Sequence, residues 1–236
     1  MKSAKFISPE QSFIRSWQEF SPDLAELLQD GDMSQFTRGE VIWQTRHKCV
    51  TKCEIMVNGI PKTVVFKRYY EKRFFRYLFR PSLAAREAKG YGIVNKVNIP
   101  CATLLGYGEV RRGVRLNECF IMTEYLAGTQ DGEVFCPGGA LKDDSKLRDE
   151  FCRRTLTLLK KLHQQNYIHG GTHPRNFLWS PEGAEGLSEI WIDLATVKRG
   201  CRGRQQEDVE KFLAPLQLTT EQAEKYRRFY LELPNC

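Results

Sequence analysis

No stretch of this chain approaches the roughly 18 consecutive apolar residues that a membrane-crossing helix requires, so the sequence predicts no transmembrane span. Its first residues, MKSAKFISPEQSFIRSW, lack the unbroken apolar core of a secretory leader, because Ser, Pro, Glu, Gln and Arg interrupt them. There is no Cys-x-x-Cys pair. The cysteines at Cys49, Cys53, Cys101, Cys119, Cys136, Cys152, Cys201 and Cys236 are scattered, and in a chain of this size they read as reduced thiols rather than a disulfide framework. Nor do His163, His169 and His173 form a zinc set, since no cysteine or carboxylate supplies a compact fourth ligand at the usual spacing. Internal repeats and low-complexity tracts are also missing. A folded protein of the cytosol is the expectation.

Acidic residues are in deficit, 29 against 36 lysines and arginines, for a net charge of +7. Such an excess favours an anionic partner such as phosphate, a membrane surface or nucleic acid. No nucleic-acid reader motif accompanies it, so nucleic acid is not expected. The charge is also placed unevenly. Lys67, Arg68, Lys72, Arg73, Arg76 and Arg80 fall within fourteen residues whose one acid is Glu71, interleaved with Tyr69, Tyr70, Phe74, Phe75, Tyr77 and Phe79. Residues 67–80 suit contact with the headgroups of an anionic membrane or with a phosphorylated glycolipid. A solvated face whose aromatics enter the core would carry the same composition.

What is present is ordinary for a folded chain: 236 residues, 41% hydrophobic and 28% charged, enough for one large domain or two packed lobes. From Val41 to Tyr70 the chain is rich in β-branched and aromatic residues. Val57-Asn58-Gly59-Ile60-Pro61 reads as the turn of a hairpin that ends in Thr63-Val64-Val65-Phe66-Lys67. Pro81-Ser82-Leu83 can start a helix carrying Glu87 toward the Gly90-Tyr91-Gly92 region. Ala102–Tyr107 and Glu118–Leu126 read as further strands, separated by a turn at Arg111-Arg112-Gly113. Loop composition then takes over through Ala127-Gly128 and Cys136-Pro137-Gly138-Gly139. From Lys146 to Asn166, Leu147, Phe151, Leu158, Leu159 and Leu162 recur at helical spacing. After a basic loop bearing Lys198, Arg199, Arg202 and Arg204, two short helical patterns follow, Glu207–Leu213 and Thr220–Leu231. The expected organisation is an extension over 1–37, a strand-rich lobe over 38–126 and a helical lobe over 127–236.

The segment that carries chemistry is HGGTHPRN, His169 to Asn176, followed seventeen positions after the asparagine by Ile192-Asp193-Leu194. It resembles the kinase pattern H-G-D-x-x-x-x-N, a short hairpin, then an apolar-Asp-apolar triplet. Alone, Asn176 would be a turn residue and Asp193 a helix cap. In this order they are the candidate metal ligands, an amide oxygen and a carboxylate, both hard donors suited to Mg2+. Lys67 ends an apolar strand and Glu87 lies twenty residues later on the expected helix, matching the lysine–glutamate pair that presents charge to the nucleotide phosphates. The strand leading through Thr123 and Glu124 to Leu126 resembles the last strand and hinge of a kinase amino-terminal lobe. That resemblance puts Thr123 at the gatekeeper position and adenine against the backbone of Glu124 to Leu126. His173 falls where many small-molecule kinases place a histidine facing the transferred phosphate, whereas His169 suits packing beneath the loop. Gly171 stands where the catalytic aspartate belongs.

Over roughly residues 38–215 the chain resembles the lipopolysaccharide kinase family, which phosphorylates Kdo or heptose sugars of the lipid A core. The resemblance is carried by Phe66-Lys67-Arg68-Tyr69-Tyr70, Arg86-Glu87, Ile99-Pro100 to Gly106-Tyr107-Gly108, the His169–Asn176 loop and Ile192-Asp193-Leu194. Two departures stand out: no G-x-G-x-x-G precedes Lys67, and Gly171 replaces the aspartate. The resemblance implies an α+β, bilobal, protein-kinase-like fold with a small antiparallel-sheet N-lobe and a mainly helical C-lobe. It implies ATP and Mg2+ as cofactors, with Lys67, Glu87, His173, Asn176 and Asp193 as catalytic-site residues and a core oligosaccharide or related anionic glycolipid as partner. A monomer is expected, cytoplasmic and peripheral on the inner membrane. The alternative is a pseudokinase that binds nucleotide or a partner protein without transferring phosphate.

Overall fold

The computed structural model of the chain describes residues 12–15, 39–57, 59–70, 80–112, 115–184 and 187–234. In chain order its elements are β1 (Ser12–Arg15), β2 (Glu40–Thr45), β3 (Lys48–Val57), β4 (Ile60–Tyr70), α1 (Leu83–Lys96), β5 (Leu104–Arg112), β6 (Arg115–Glu124) and β7 (Gln130–Asp131). A 3-10 turn (Gly132–Phe135) leads to α2 (Ser145–Gln164), β8 (Tyr167–Ile168), a second 3-10 turn (Pro174–Asn176), β9 (Phe177–Ala184), β10 (Leu187–Trp191) and β11 (Lys198–Arg199). The chain closes with α3 (Arg202–Leu213), a 3-10 turn (Ala214–Leu216) and α4 (Thr220–Glu232). Two compact units result. One is the described part of Met1–Ala88 with Ala102–Tyr125, and the other is Lys89–Cys101 with Leu126 onward.

The first unit is built on an antiparallel sheet of order β1-β5-β6-β4-β3-β2. Its central strand β4 pairs with β3 on one side and β6 on the other, so that Lys67 lies opposite both Val50 and Ile121. Val64 and Phe66 are buried, and Phe66 stacks on Phe120 with ring centroids 5.3 Å apart. The expected hairpin is present as β3–β4, although Asn58 of its turn lies outside the described residues. The two later strands form β5 and β6, with Gly113 of their connecting turn likewise outside. Most of the basic-aromatic segment, residues 71–79, also lies outside the described residues.

Helix α1 is capped by Ser82, whose Oγ accepts the Ala85 N–H at 3.1 Å. It does not stop at Gly90-Tyr91-Gly92 as the glycines suggest, but continues through them to Lys96. A glycine inside a helix costs about 1 kcal/mol relative to alanine, and at Gly90 there is a packing reason for it. The backbone carbonyl of Leu194 occupies the space that a Cβ at Gly90 would need. The residue after Asp193 is thereby pressed directly onto the helix.

In the second unit α2 runs where its periodicity places it, capped by the Asp144 carboxylate, which accepts the Leu147 N–H at 2.9 Å. Its buried face, including Phe151, Leu156, Leu159 and Leu162, meets an aromatic cluster. Phe135 and Phe151 stack at 4.8 Å, and Phe177 packs against Trp191 at 5.3 Å and Phe212 at 5.8 Å. The expected basic loop is more ordered than its composition implies: Lys198 and Arg199 form β11 against Tyr167 and Ile168, and Arg202 and Arg204 begin α3. Helix α4 opens with a reciprocal capping box between Thr219 and Gln222. Among the described residues no helix is long and apolar enough to cross a membrane.

Candidate active site

Lys67 and Glu87 meet within the first unit. The Lys67 ammonium donates to Glu87 Oε1 at 2.9 Å, and the Tyr69 hydroxyl donates to Glu87 Oε2 at 2.6 Å. Both charges are largely removed from water, with side-chain exposures of 10% and 2%. Removing one partner of such a buried pair typically costs about 3–5 kcal/mol, because the other charge is left uncompensated. Strand β4 turns Lys67 to the same face as Tyr69, and α1 carries Glu87 to it across twenty residues of sequence. Thr123 is buried at the end of β6, opposite Val65. The N–H groups of Glu124 and Tyr125 are committed to the carbonyls of Thr103 and Thr63, at 2.9 and 3.0 Å. The Leu126 carbonyl accepts the Thr129 hydroxyl at 2.8 Å.

The His169–Asn176 loop belongs to the second unit and is held from below by Asp208 of α3. Asp208 accepts the backbone N–H of His169 at 2.6 Å and of Gly170 at 2.8 Å, and its own carbonyl accepts the Thr172 hydroxyl at 2.6 Å. His163 of α2 touches the same carboxylate at 3.1 Å, with Tyr230 on its other ring nitrogen at 2.6 Å. Despite burial, which opposes ionisation, these bonds hold the Asp208 carboxyl below its ordinary range. His169 is buried between Phe177 and Trp191. Burial drives its pKa down to about 4, so the ring is neutral at pH 7. Its Nδ1 accepts the Gly171 N–H at 3.3 Å, which places the proton on Nε2, an atom without a hydrogen-bond partner among the described residues.

Asn176 ends the loop with its Nδ2 donating to the Gly171 carbonyl at 2.7 Å. That bond leaves Oδ1, the hard donor, as the uncommitted amide atom of this contact. The Asn176 carbonyl accepts the Ile192 N–H at 2.9 Å, so the backbone of the asparagine is tied to the residue before Asp193. Asp193 itself stands in the left-handed region at φ 56°, a conformation aspartate tolerates better than most residues. The donor set, one amide oxygen and one carboxylate, suits Mg2+, which commonly takes one or two protein ligands.

His173 caps the 3-10 turn that follows it. Its Nδ1 faces the Arg175 N–H at 3.4 Å and Glu133 Oε1 at 3.5 Å. Burial first, then the Arg175 charge, lowers its pKa below the usual histidine value. At Gly171, where a kinase carries its catalytic carboxylate, an added Cβ would meet Thr196 Oγ1 at 2.9 Å. Asp208 and Thr196 carried no signal in the sequence: one is an acid within a short amphipathic pattern, the other a threonine in a loop.

A strand-rich unit holding a buried lysine–glutamate pair, and a helical unit holding an H-G-x-x-x-x-x-N loop with an aspartate after a hairpin, define a protein-kinase-like α+β fold of two lobes. The chain matches the model of the lipopolysaccharide kinase (Kdo/WaaP) family over residues 40–230, and it belongs to that family. Among solved structures it is similar to that described as "WaaP in complex with acyl carrier protein", with a TM-score of 0.61 at 17% identity, covering 92% of this chain and 89% of that one. At that identity the likeness speaks for the fold. No curated protein sequence matches.

Proposed function

We propose that this protein is an ATP- and Mg2+-dependent phosphotransferase that phosphorylates a sugar hydroxyl of a lipopolysaccharide core. The observation that carries the reading is the buried Lys67–Glu87 pair, in a chain that belongs to a family of lipopolysaccharide kinases. A buried ammonium held by a carboxylate is costly without a purpose such as meeting nucleotide phosphates. Asn176 and Asp193 supply the oxygens that would hold Mg2+, whose charge neutralises the phosphate oxygens. Because the Glu124 and Tyr125 N–H groups are already bonded, adenine recognition falls to the Glu124 carbonyl and the Leu126 backbone, beside Thr123. His173, whose pKa burial lowers, takes the proton of the acceptor hydroxyl on Nδ1, releasing the Arg175 N–H that faces it at 3.4 Å, in the absence of an aspartate at Gly171. In this reading the enzyme works in the cytoplasm at the inner-membrane face.

One observation favours a second reading, a pseudokinase. A Cβ at Gly171 would meet the Thr196 hydroxyl at 2.9 Å, so a carboxylate there would require Thr196 to turn away, and the chain as it stands carries none at this position. Loss of a general base costs about 100- to 10,000-fold in rate, but nucleotide binding does not need one.

Thermal shift and a phosphotransfer assay separate the two. ATP with Mg2+ at 100 times its dissociation constant should stabilise the protein by about 2.7 kcal/mol, and Lys67→Met should remove the effect. Absence of stabilisation in the parent protein rules out the phosphotransferase and the nucleotide-binding form of the pseudokinase. Stabilisation without γ-phosphoryl transfer to a core oligosaccharide selects the pseudokinase. If transfer occurs, His173→Ala should slow it by about 100-fold or more. Gly171→Asp combined with Thr196→Ala should recover part of that loss. Equal rates for His173→Ala and the parent would remove His173 from the role of base.

A further inference from the structure

The basic segment that follows Asp193 has no role in the site described above. Lys198, Arg199, Arg202 and Arg204 fall within seven residues, and all four are exposed. We propose that this segment, the β11 strand and first turn of α3, docks the protein on the surface of an anionic phospholipid bilayer. The inference goes beyond the phosphotransferase reading and does not depend on it, because attachment to a bilayer needs neither nucleotide nor acceptor.

The charges are placed where the chain itself gains little from them. From Leu194 to Gln206 there is no acid, so nothing along the segment neutralises them. Just beyond it, Glu207 lies 3.9 Å from Lys211, and Asp208 is bonded to the His169 and Gly170 N–H groups. Other surface cations of the same unit do meet carboxylates: Arg153 with Asp149 at 2.7 Å, Arg227 with Glu210 at 2.8 Å and Lys225 with Asp149 at 2.9 Å. Helix α3 also begins at Arg202 behind Cys201, whose side chain makes no capping bond, and its first turn holds no acid. The start of a helix carries partial positive charge, so Arg202 and Arg204 stand at the end that disfavours a cation. Lys211, in the last turn, stands at the end that welcomes one. Cations kept at the unfavourable end, beside two more, are accounted for by an anion outside the chain.

The side chains between the cations decide what kind of anion. A protein partner wants an interface centred on apolar and aromatic groups, and single-stranded nucleic acid wants aromatic platforms for its bases. Lys198 to Gln206 reads KRGCRGRQQ, without one aromatic or aliphatic side chain. Such a segment offers charge alone. Anionic headgroups form a plane of charge that demands no fixed geometry, and clusters of about four to eight basic residues are enough to hold a protein to it.

Docking here would bear directly on the His169–Asn176 loop. Lys198 and Arg199 pair with Ile168 and Tyr167 of β8, the strand that runs straight into His169, and the Gly200 N–H bonds the Asn166 carbonyl at 3.1 Å. On the other side of the cluster, α3 carries Asp208 to the underside of the same loop. The basic segment is thus tied at both ends to what supports the loop.

The test is co-sedimentation of the full chain, without nucleotide, with vesicles of phosphatidylcholine alone or containing about 30% phosphatidylglycerol. The protein should pellet with the anionic vesicles only, and release as salt rises from about 0.1 to about 0.5 M and shortens the Debye length. Each basic residue near such a surface strengthens attachment by about fivefold. Arg202→Gln with Arg204→Gln should therefore weaken binding about 25-fold, and adding Lys198→Gln and Arg199→Gln about 600-fold. The arginine pair should melt no lower than the parent, since its removal relieves the helix end, and a retained melting temperature verifies folding of both variants. Failure of the parent to bind anionic vesicles overturns the inference. So does equal binding to neutral ones, or tighter binding to a DNA duplex at the same salt. Parent-like binding by the fourfold variant overturns it as well and moves attachment to residues 67–80. Nucleotide stabilisation on the same samples keeps the two readings apart: ATP binding without vesicle binding sinks the docking surface alone, and vesicle binding without ATP binding sinks the phosphotransferase alone.

Discussion

Asp208 receives the backbone N–H of His169 at 2.6 Å, and through this bond a helix near the end of the chain fixes the start of the loop that ends in Asn176. The same carboxylate binds the Gly170 N–H and His163, so three donors converge on two oxygens. Because the loop is irregular backbone, it has no ladder to satisfy its N–H groups, and a buried acceptor from elsewhere must do so.

Asp208→Ala should therefore destabilise the protein by about 3 kcal/mol or more, since one buried N–H, one part-buried N–H and one imidazole lose their acceptor at about 1–3 kcal/mol each. Asp208→Asn should cost less, as one oxygen remains. Chemical denaturation measures both. The Asp208 carboxyl is held below the ordinary aspartate value, so its contribution is present above the unfolded-state value and lost as pH falls through the folded one. The wild-type advantage over Asp208→Asn should shrink below about pH 4.

Gly90→Ala tests the contact between α1 and the backbone beside Asp193. Helix propensity alone predicts stabilisation of about 1 kcal/mol. The Leu194 carbonyl in the way of the new methyl reverses the sign, since overpacking against backbone costs about 1–3 kcal/mol. A melting temperature above that of the parent would refute the close approach.

Glu189 is buried, with Trp191 Nε1 donating to it at 2.9 Å and Thr155 Oγ1 at 2.9 Å from its other oxygen. The Thr155 hydroxyl also reaches the Phe151 carbonyl at 3.0 Å. A hydroxyl has one proton, so a protonated Glu189 donating to Thr155, which donates onward to Phe151, satisfies every atom. Burial raises the Glu189 pKa from 4.5 to about 7. A raised carboxyl pKa means that stability is fully retained below the unfolded value and falls as pH rises through the folded one. The loss between pH 4.5 and 7 is about 3 kcal/mol. Glu189→Gln should flatten that slope in urea titrations across this range, and an unchanged slope would exclude the assignment.

Much of the architecture was legible along the chain. The α2 helix follows from Phe151, Leu159 and Leu162 at a 3.6-residue period, and β4 from its β-branched run, because periodicity reports which face is buried without reference to a partner. The order of Lys67, Glu87, the His169–Asn176 loop and Asp193 pointed to the kinase-like fold and to the lipopolysaccharide kinase family, which the family match over residues 40–230 shows. The course of α1 was not legible, since Gly90 and Gly92 carry the local signal of a helix end. What overrides it is a carbonyl more than one hundred residues away.

The residues by themselves determined the fold class, the family and the candidate chemistry, because those depend on side-chain types recurring in a fixed order. Only the tertiary structure decided that Asp208 clasps the loop, that Thr196 bounds the space at Gly171, that Glu133 faces His173, and that β11 pairs with the strand leading into the loop. Each of these is a contact between segments distant in sequence, governed by hydrogen-bond satisfaction and excluded volume, and neither leaves a period or a motif along the chain.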